Sequence, residues 1–150
     1  MKRCDNKKTI YLDMDGTIAD LYGVENWLEH LETESVYPYI AAKPLIRLSD
    51  LAYRLNYLQR KGYNIGIISW LSKSGGDAYN MEVAKIKKAW LTSHMPSVKW
   101  DRIYIVPYGT PKHKFSNGND ILFDDEERNR VHWVGKAYDV HNILDDLKKM

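Results

Sequence analysis

An α/β fold, a parallel sheet flanked by helices, is predicted by three features of this 150-residue sequence. Short runs rich in β-branched and aromatic residues lack strict alternation, as strands covered on both faces do. Helical patterns separate them, which calls for parallel pairing through crossovers. Acidic, hydroxyl and basic residues gather just past the runs' carboxyl ends, the edge at which open parallel sheets bind ligands.

The first strand is read at Thr9–Leu12 (TIYL), the second at Asn64–Ser69 (NIGIIS), the third at Arg102–Val106 (RIYIV) and the fourth at Asp120–Phe123 (DILF). A fifth, weaker run is Trp133–Val140. Leu48, Leu51, Leu55 and Leu58 recur at helical spacing within Leu45–Lys61, and Gly62 supplies a stop. Tyr79–His94 places Val83, Ile86 and Trp90 on one face, with Pro96 just beyond. Lys85, Lys87 and Lys88 of that segment read as a solvated face. Val140–Lys149 carries Ile143, Leu144 and Leu147. The segment Leu21–Lys43 breaks the alternation. It is too apolar for a bare linker and too long for a common connection. It reads as a small, mostly helical insert able to act as a lid over a site. The whole chain is therefore expected to be one domain, 1–150, with a cap insert at about 21–43.

Composition narrows the function classes. A net charge of +2 gives no bulk electrostatic case for a nucleic-acid or membrane partner. No run approaches the ~20 apolar residues of a membrane span. The single cysteine, Cys4, permits no intramolecular disulfide, and the charged start MKRCDNKK is unlike a signal peptide, so a cytoplasmic protein is expected. The histidines lack zinc-ligand spacing. Asp13 does not open a calcium loop, because Ile18 and Val24 occupy the positions that need glycine and glutamate. Ser72–Gly76 (SKSGG) lacks the lysine ending of a P-loop and reads as a loop near the site.

The strand ends carry the chemistry. The first ends in Asp13, Asp15 and Thr17, the second in Ser69 and Trp70, and the fourth in Asp124 and Asp125. Lys112, His113 and Lys114 follow the third. Carboxylates crowded without a counter-ion are costly. A divalent cation with oxygen ligands, Mg²⁺, removes that cost and also binds phosphate. Asp13 can then attack phosphorus, and Asp15 can protonate the leaving oxygen and later deprotonate water. Thr17 and Ser69 can hydrogen-bond phosphate oxygens, and a lysine can offset charge in the transition state. Trp70, Tyr22, Trp27 and Tyr37 are candidates for stacking on a nucleobase.

DMDGT at Asp13–Thr17, the strand ending in Ser69, the basic Lys114 and FDDE at Phe123–Glu126 resemble the haloacid dehalogenase-like (HAD) phosphohydrolase superfamily, with its Rossmann-like fold. LDMDGTIAD, the KPL turn, the AKIKKAWL helix and the ten-residue step from Lys114 to Asp124 resemble its 5′(3′)-deoxyribonucleotidase branch. The resemblance implies Asp13 as nucleophile, Asp15 as acid/base and Lys114, rather than Lys112, as the charge-offsetting lysine. It implies Mg²⁺ held by Asp13, the Asp15 carbonyl and Asp124, with Asp125 further out. The expected partner is a small phosphorylated substrate, a nucleotide monophosphate first, with nucleic acid only as substrate. A polynucleotide end, a sugar phosphate, a phosphoprotein, or a non-catalytic phosphate-binding module are the alternatives.

Overall fold

The computed structural model describes residues 7–150, so Cys4 lies outside the described residues. In chain order the elements are β1 (Thr9–Leu12), β2 (Ala19–Asp20), α1 (Trp27–Glu32), α2 (Tyr37–Ala41), β3 (Lys43–Pro44), α3 (Leu48–Arg60), β4 (Asn64–Trp70), α4 (Asp77–His94), β5 (Arg102–Val106), β6 (Ile121–Phe123), α5 (Glu127–His132), β7 (Lys136–Tyr138) and α6 (Ile143–Lys148). The main sheet has the order β5-β4-β1-β6-β7, all neighbours parallel. The chain runs outward from β1 through β4 to β5, then returns to the other side of β1 for β6 and β7. The order thus reverses beside β1, which opens a crevice at its carboxyl end.

Alternation along the strands splits the core in two. Ile10, Leu12, Ile65, Ile67, Ile121 and Phe123 meet Leu51, Leu55 and Leu58 of α3, Trp90 and Leu91 of α4, and Ile143 and Leu147 of α6. Tyr11, Ile68, Leu122 and Trp133 form a smaller, aromatic cluster on the opposite face. Gly66 makes room there: a Cβ on it would lie 2.9 Å from the Tyr11 ring. β5 and β7 are the edge strands, β5 half-buried along its length.

The predicted strands recur with trimmed ends. The weak fifth run shortens to Lys136–Tyr138, and the fourth begins at Ile121, with the Asp120 side chain just before it accepting from Thr9 N at 2.8 Å and Asn117 N at 3.0 Å. The 21–43 segment is largely helical. Its two ends leave the core through the antiparallel β2–β3 ribbon, Ala19 opposite Pro44 and Asp20 opposite Lys43. Leu21, Leu31 and Tyr39 of the insert pack with Tyr79 and Val83 of α4. Among the described residues, no helix is long and apolar enough to cross a membrane.

Candidate active site

β1 delivers the first carboxylates. After Leu12 the chain turns tightly, with Met14 O accepting from the amides of Thr17, Ile18 and Ala19. Gly16 adopts φ +81°, and a Cβ there would collide with the Asp125 carboxylate. The turn thus lets the first loop approach the loop after β6. Carboxylate oxygens of Asp13, Asp124 and Asp125 lie within 4.8 Å of one another. Thr17 Oγ1 lies 3.2 Å from Asp13 Oδ2 and 3.3 Å from Asp125 Oδ1, so its one hydroxyl hydrogen serves both. Asp124, with no exposed surface, accepts from Glu126 N at 2.9 Å and from Asn129 Nδ2 at 3.2 Å.

The lysine that reaches these carboxylates is Lys112. Its Nζ, on a side chain 2% exposed, donates to Asp13 Oδ1 at 2.9 Å, Asp124 Oδ2 at 2.7 Å and Ile68 O at 3.0 Å. Lys114, expected in this place, is exposed instead. The short 3-10 turn Lys112–Phe115 after Pro111 aims Lys112 inward and sends Lys114 to solvent.

A second buried lysine was not foreseen in a binding role. Lys87, assigned from sequence to a solvated face, is 2% exposed. Its Nζ donates to Asp15 Oδ2 at 2.8 Å, Ser69 Oγ at 2.6 Å and Trp70 O at 2.7 Å, and lies 5.4 Å from the centre of the Tyr39 ring. The signal was present. Val83, Lys87, Trp90 and Leu91 are spaced i, i+4, i+7, i+8, so Lys87 falls within the apolar stripe. Lys85 and Lys88 do face solvent.

A chamber of about 740 Å³ opens above the carboxylates. Asp13, Asp15, Lys112, Asp124 and Asp125 line its floor; Tyr22, Trp27, Leu28 and Tyr39 of the insert and Trp70 and Tyr108 of the core line its walls. Tyr22 and Trp27 meet edge to face at 4.8 Å. Trp70 is fixed by a bond from Nε1 to Thr110 O, 2.9 Å, and by the Arg128 guanidinium 4.6 Å over its ring. Tyr37 stands outside, against His30. Ser69, expected to meet phosphate, is fully buried outside the chamber lining and receives Lys87. Thr17 is also buried and braces carboxylates. The Ser72–Gly76 loop borders the chamber through Ser72, Lys73 and Ser74. It is pinned by Ser72 N to Asn80 Oδ1, 3.1 Å, and Gly76 N to Glu34 Oε2, 2.8 Å.

Electrostatics follow from crowding. Burial, then the Asp13 charge, push the Asp125 carboxyl up to about 8 and that of Asp124 up to about 6. Burial also raises Asp15, against the pull of Lys87. Lys112 is lowered by burial but raised by Asp13 and Asp124, with a net rise. The cluster therefore suits a hard divalent cation: the donors are all oxygen, and the carboxylates lack cations enough to neutralise them. Asp13, Asp124 and Asp125 would hold it. Asp15 lies outside that trio: its Oδ2 accepts from Lys87, and the residue lines the chamber.

No family model and no curated protein matches the sequence. Among solved structures, the chain is similar to D,D-heptose 1,7-bisphosphate phosphatase from Burkholderia thailandensis, with a TM-score of 0.57 and 14% identity over 96% of this chain and all of that one. The five-stranded parallel sheet between helices is therefore the fold of that phosphatase, and in this chain aspartates converge past β1 and β6.

Proposed function

We propose that the protein is a Mg²⁺-dependent phosphomonoester hydrolase working through a phospho-aspartate on Asp13, with small nucleotide monophosphates as its favoured substrates. The observation that carries this reading is the meeting of Asp13, Asp124 and Asp125 within 4.8 Å on the floor of a chamber walled by the insert and the core. Mg²⁺ bound there would supply neutralising charge for an incoming phosphate dianion. Asp13, half screened by Lys112, attacks phosphorus. The bond from phosphorus to the leaving oxygen breaks as Asp15 gives that oxygen its proton, releasing the alcohol. Asp15 then takes a proton from water, whose oxygen displaces Asp13 and yields inorganic phosphate. Lys112 carries the charge-offsetting role that spacing had given to Lys114.

The nucleotide preference is supported by the chamber's walls. Tyr22, Trp27, Trp70 and Tyr108 offer rings to a planar group, and ~300–1,000 Å³ is the usual range of small-molecule sites. A panel of phosphate esters assayed with Mg²⁺ tests it. Nucleoside monophosphates should exceed sugar phosphates in kcat/KM, and chelator should abolish turnover. Asp13→Asn should lose at least about 10³-fold in kcat while staying folded by circular dichroism. Hydrolysis retained in that variant would remove the nucleophile assignment.

A further inference from the structure

Lys87 stands apart from the charge-offsetting lysine and does different work. An ammonium has three N–H donors. Those of Lys112 go to Asp13, Asp124 and a backbone carbonyl; those of Lys87 go to Asp15, Ser69 and a backbone carbonyl. A lysine is almost never fully buried unless paired, and ordering its long stem costs rotamer freedom. Lys87 is ordered all the same, on the apolar stripe of an 18-residue helix, with the Tyr39 ring of the insert beside it.

We infer that Lys87 is a positioning residue for Asp15: by holding Oδ2 it fixes the carboxyl plane and leaves Oδ1 as the oxygen that faces the leaving group. This rests on the reading of Asp15 as proton donor. Ser69 and Trp70 O, both at the end of β4, anchor Nζ to the sheet, so Asp15 is referenced to β4 as well as to its own loop. A ~1 Å displacement of a catalytic group is enough to cost ~10²-fold. Ser69 then acts one step behind the chemistry as the lysine's anchor.

The test compares two esters with Mg²⁺ present. 4-Nitrophenyl phosphate releases an anion that needs no proton; a nucleoside 5′-phosphate releases an alkoxide that does. Lys87→Met should lose about 10²-fold or more in kcat/KM on the nucleotide and under about 10-fold on the nitrophenyl ester, because kcat/KM covers the steps up to release of the leaving group and not the attack of water that both esters share. Ser69→Ala, which keeps both Lys87 and Asp15, should show the same bias at about 10-fold, and serves if the first variant does not fold. Equal losses on both esters, or none, would overturn the inference, because a merely structural lysine cannot sense the leaving group. A crystal structure of Lys87→Met supplies a readout independent of turnover: Asp15 should leave its present orientation, and an unmoved carboxylate also overturns it. If the unmutated protein hydrolyses neither ester, the phosphatase reading fails by itself, and the orientation of Asp15 still decides the role of Lys87.

Discussion

Lys112 and Lys114 differ by two positions and by everything that matters to a charge. One is buried between two carboxylates, the other is in water. Truncating Lys112 leaves Asp13 and Asp124 facing each other with their shared cation gone, which costs far more than loss of an exposed ion pair. Lys112→Met should lower kcat by about 10²–10³-fold, and Lys114→Met should stay within about twofold of the unmutated protein in the same assay. Spacing could not separate them, since side-chain direction in a 3-10 turn between irregular segments follows no period that a sequence displays. The aspartates were legible because DMDGT and FDDE each end an apolar run, so burial and charge coincide at the same residues. Their crowding also has a sign. Asp125 and Asp124 hold protons in the fold up to about 8 and about 6 that an unfolded chain has released above ~4. Metal-free stability should therefore fall as pH rises from ~4 to ~8. Mg²⁺ at a hundredfold excess over its Kd adds ~2.7 kcal/mol, roughly 5–10 °C in Tm for a chain of this length, and scanning calorimetry should find the gain larger at pH 8 than at pH 5.5, where protons compete for the ligands.

Among the elements, those with strong periodicity were readable and those made by tertiary contact were not. The leucine ladder of α3 and the apolar runs of β1 and β4 declare themselves, because each buries a whole face. α5, six residues long, has no stripe to show; Asn129 is its one buried residue, held by a bond to Asp124. β2 and β3, two residues each, exist only because they pair with each other. α4 illustrates the intermediate case. Its C-terminal end was read correctly and its start lies two residues earlier than expected, at Asp77, yet Lys87 was judged by residue type and assigned to solvent. Position on the stripe was the better guide, since a charged residue in an apolar stripe must either disrupt it or find partners. Asp15 and Ser69 are those partners.

At the scale of the molecule, the sheet order places β1 between the two halves of the chain, so Asp13 from the beginning and Asp124 and Asp125 from near the end share one crevice. The sheet and flanking helices supply the floor of the chamber; the insert supplies much of its wall. Replacing 21–42 by a short turn, with Tyr79→Gln and Val83→Lys to cover the exposed face of α4, should leave a folded core by circular dichroism and erase the preference for nucleotides over sugar phosphates in the ester panel. A persistent preference would locate selectivity in Trp70 and Tyr108 instead.

The β2–β3 ribbon has a broader implication. Entry and exit strands of the insert stand side by side, two rungs wide, so any segment whose ends are about one strand spacing apart can be spliced between them without disturbing the register of the sheet. A lineage carrying this framework can exchange what it recognises while keeping how it reacts, and an engineer can do the same at Asp20 and Lys43.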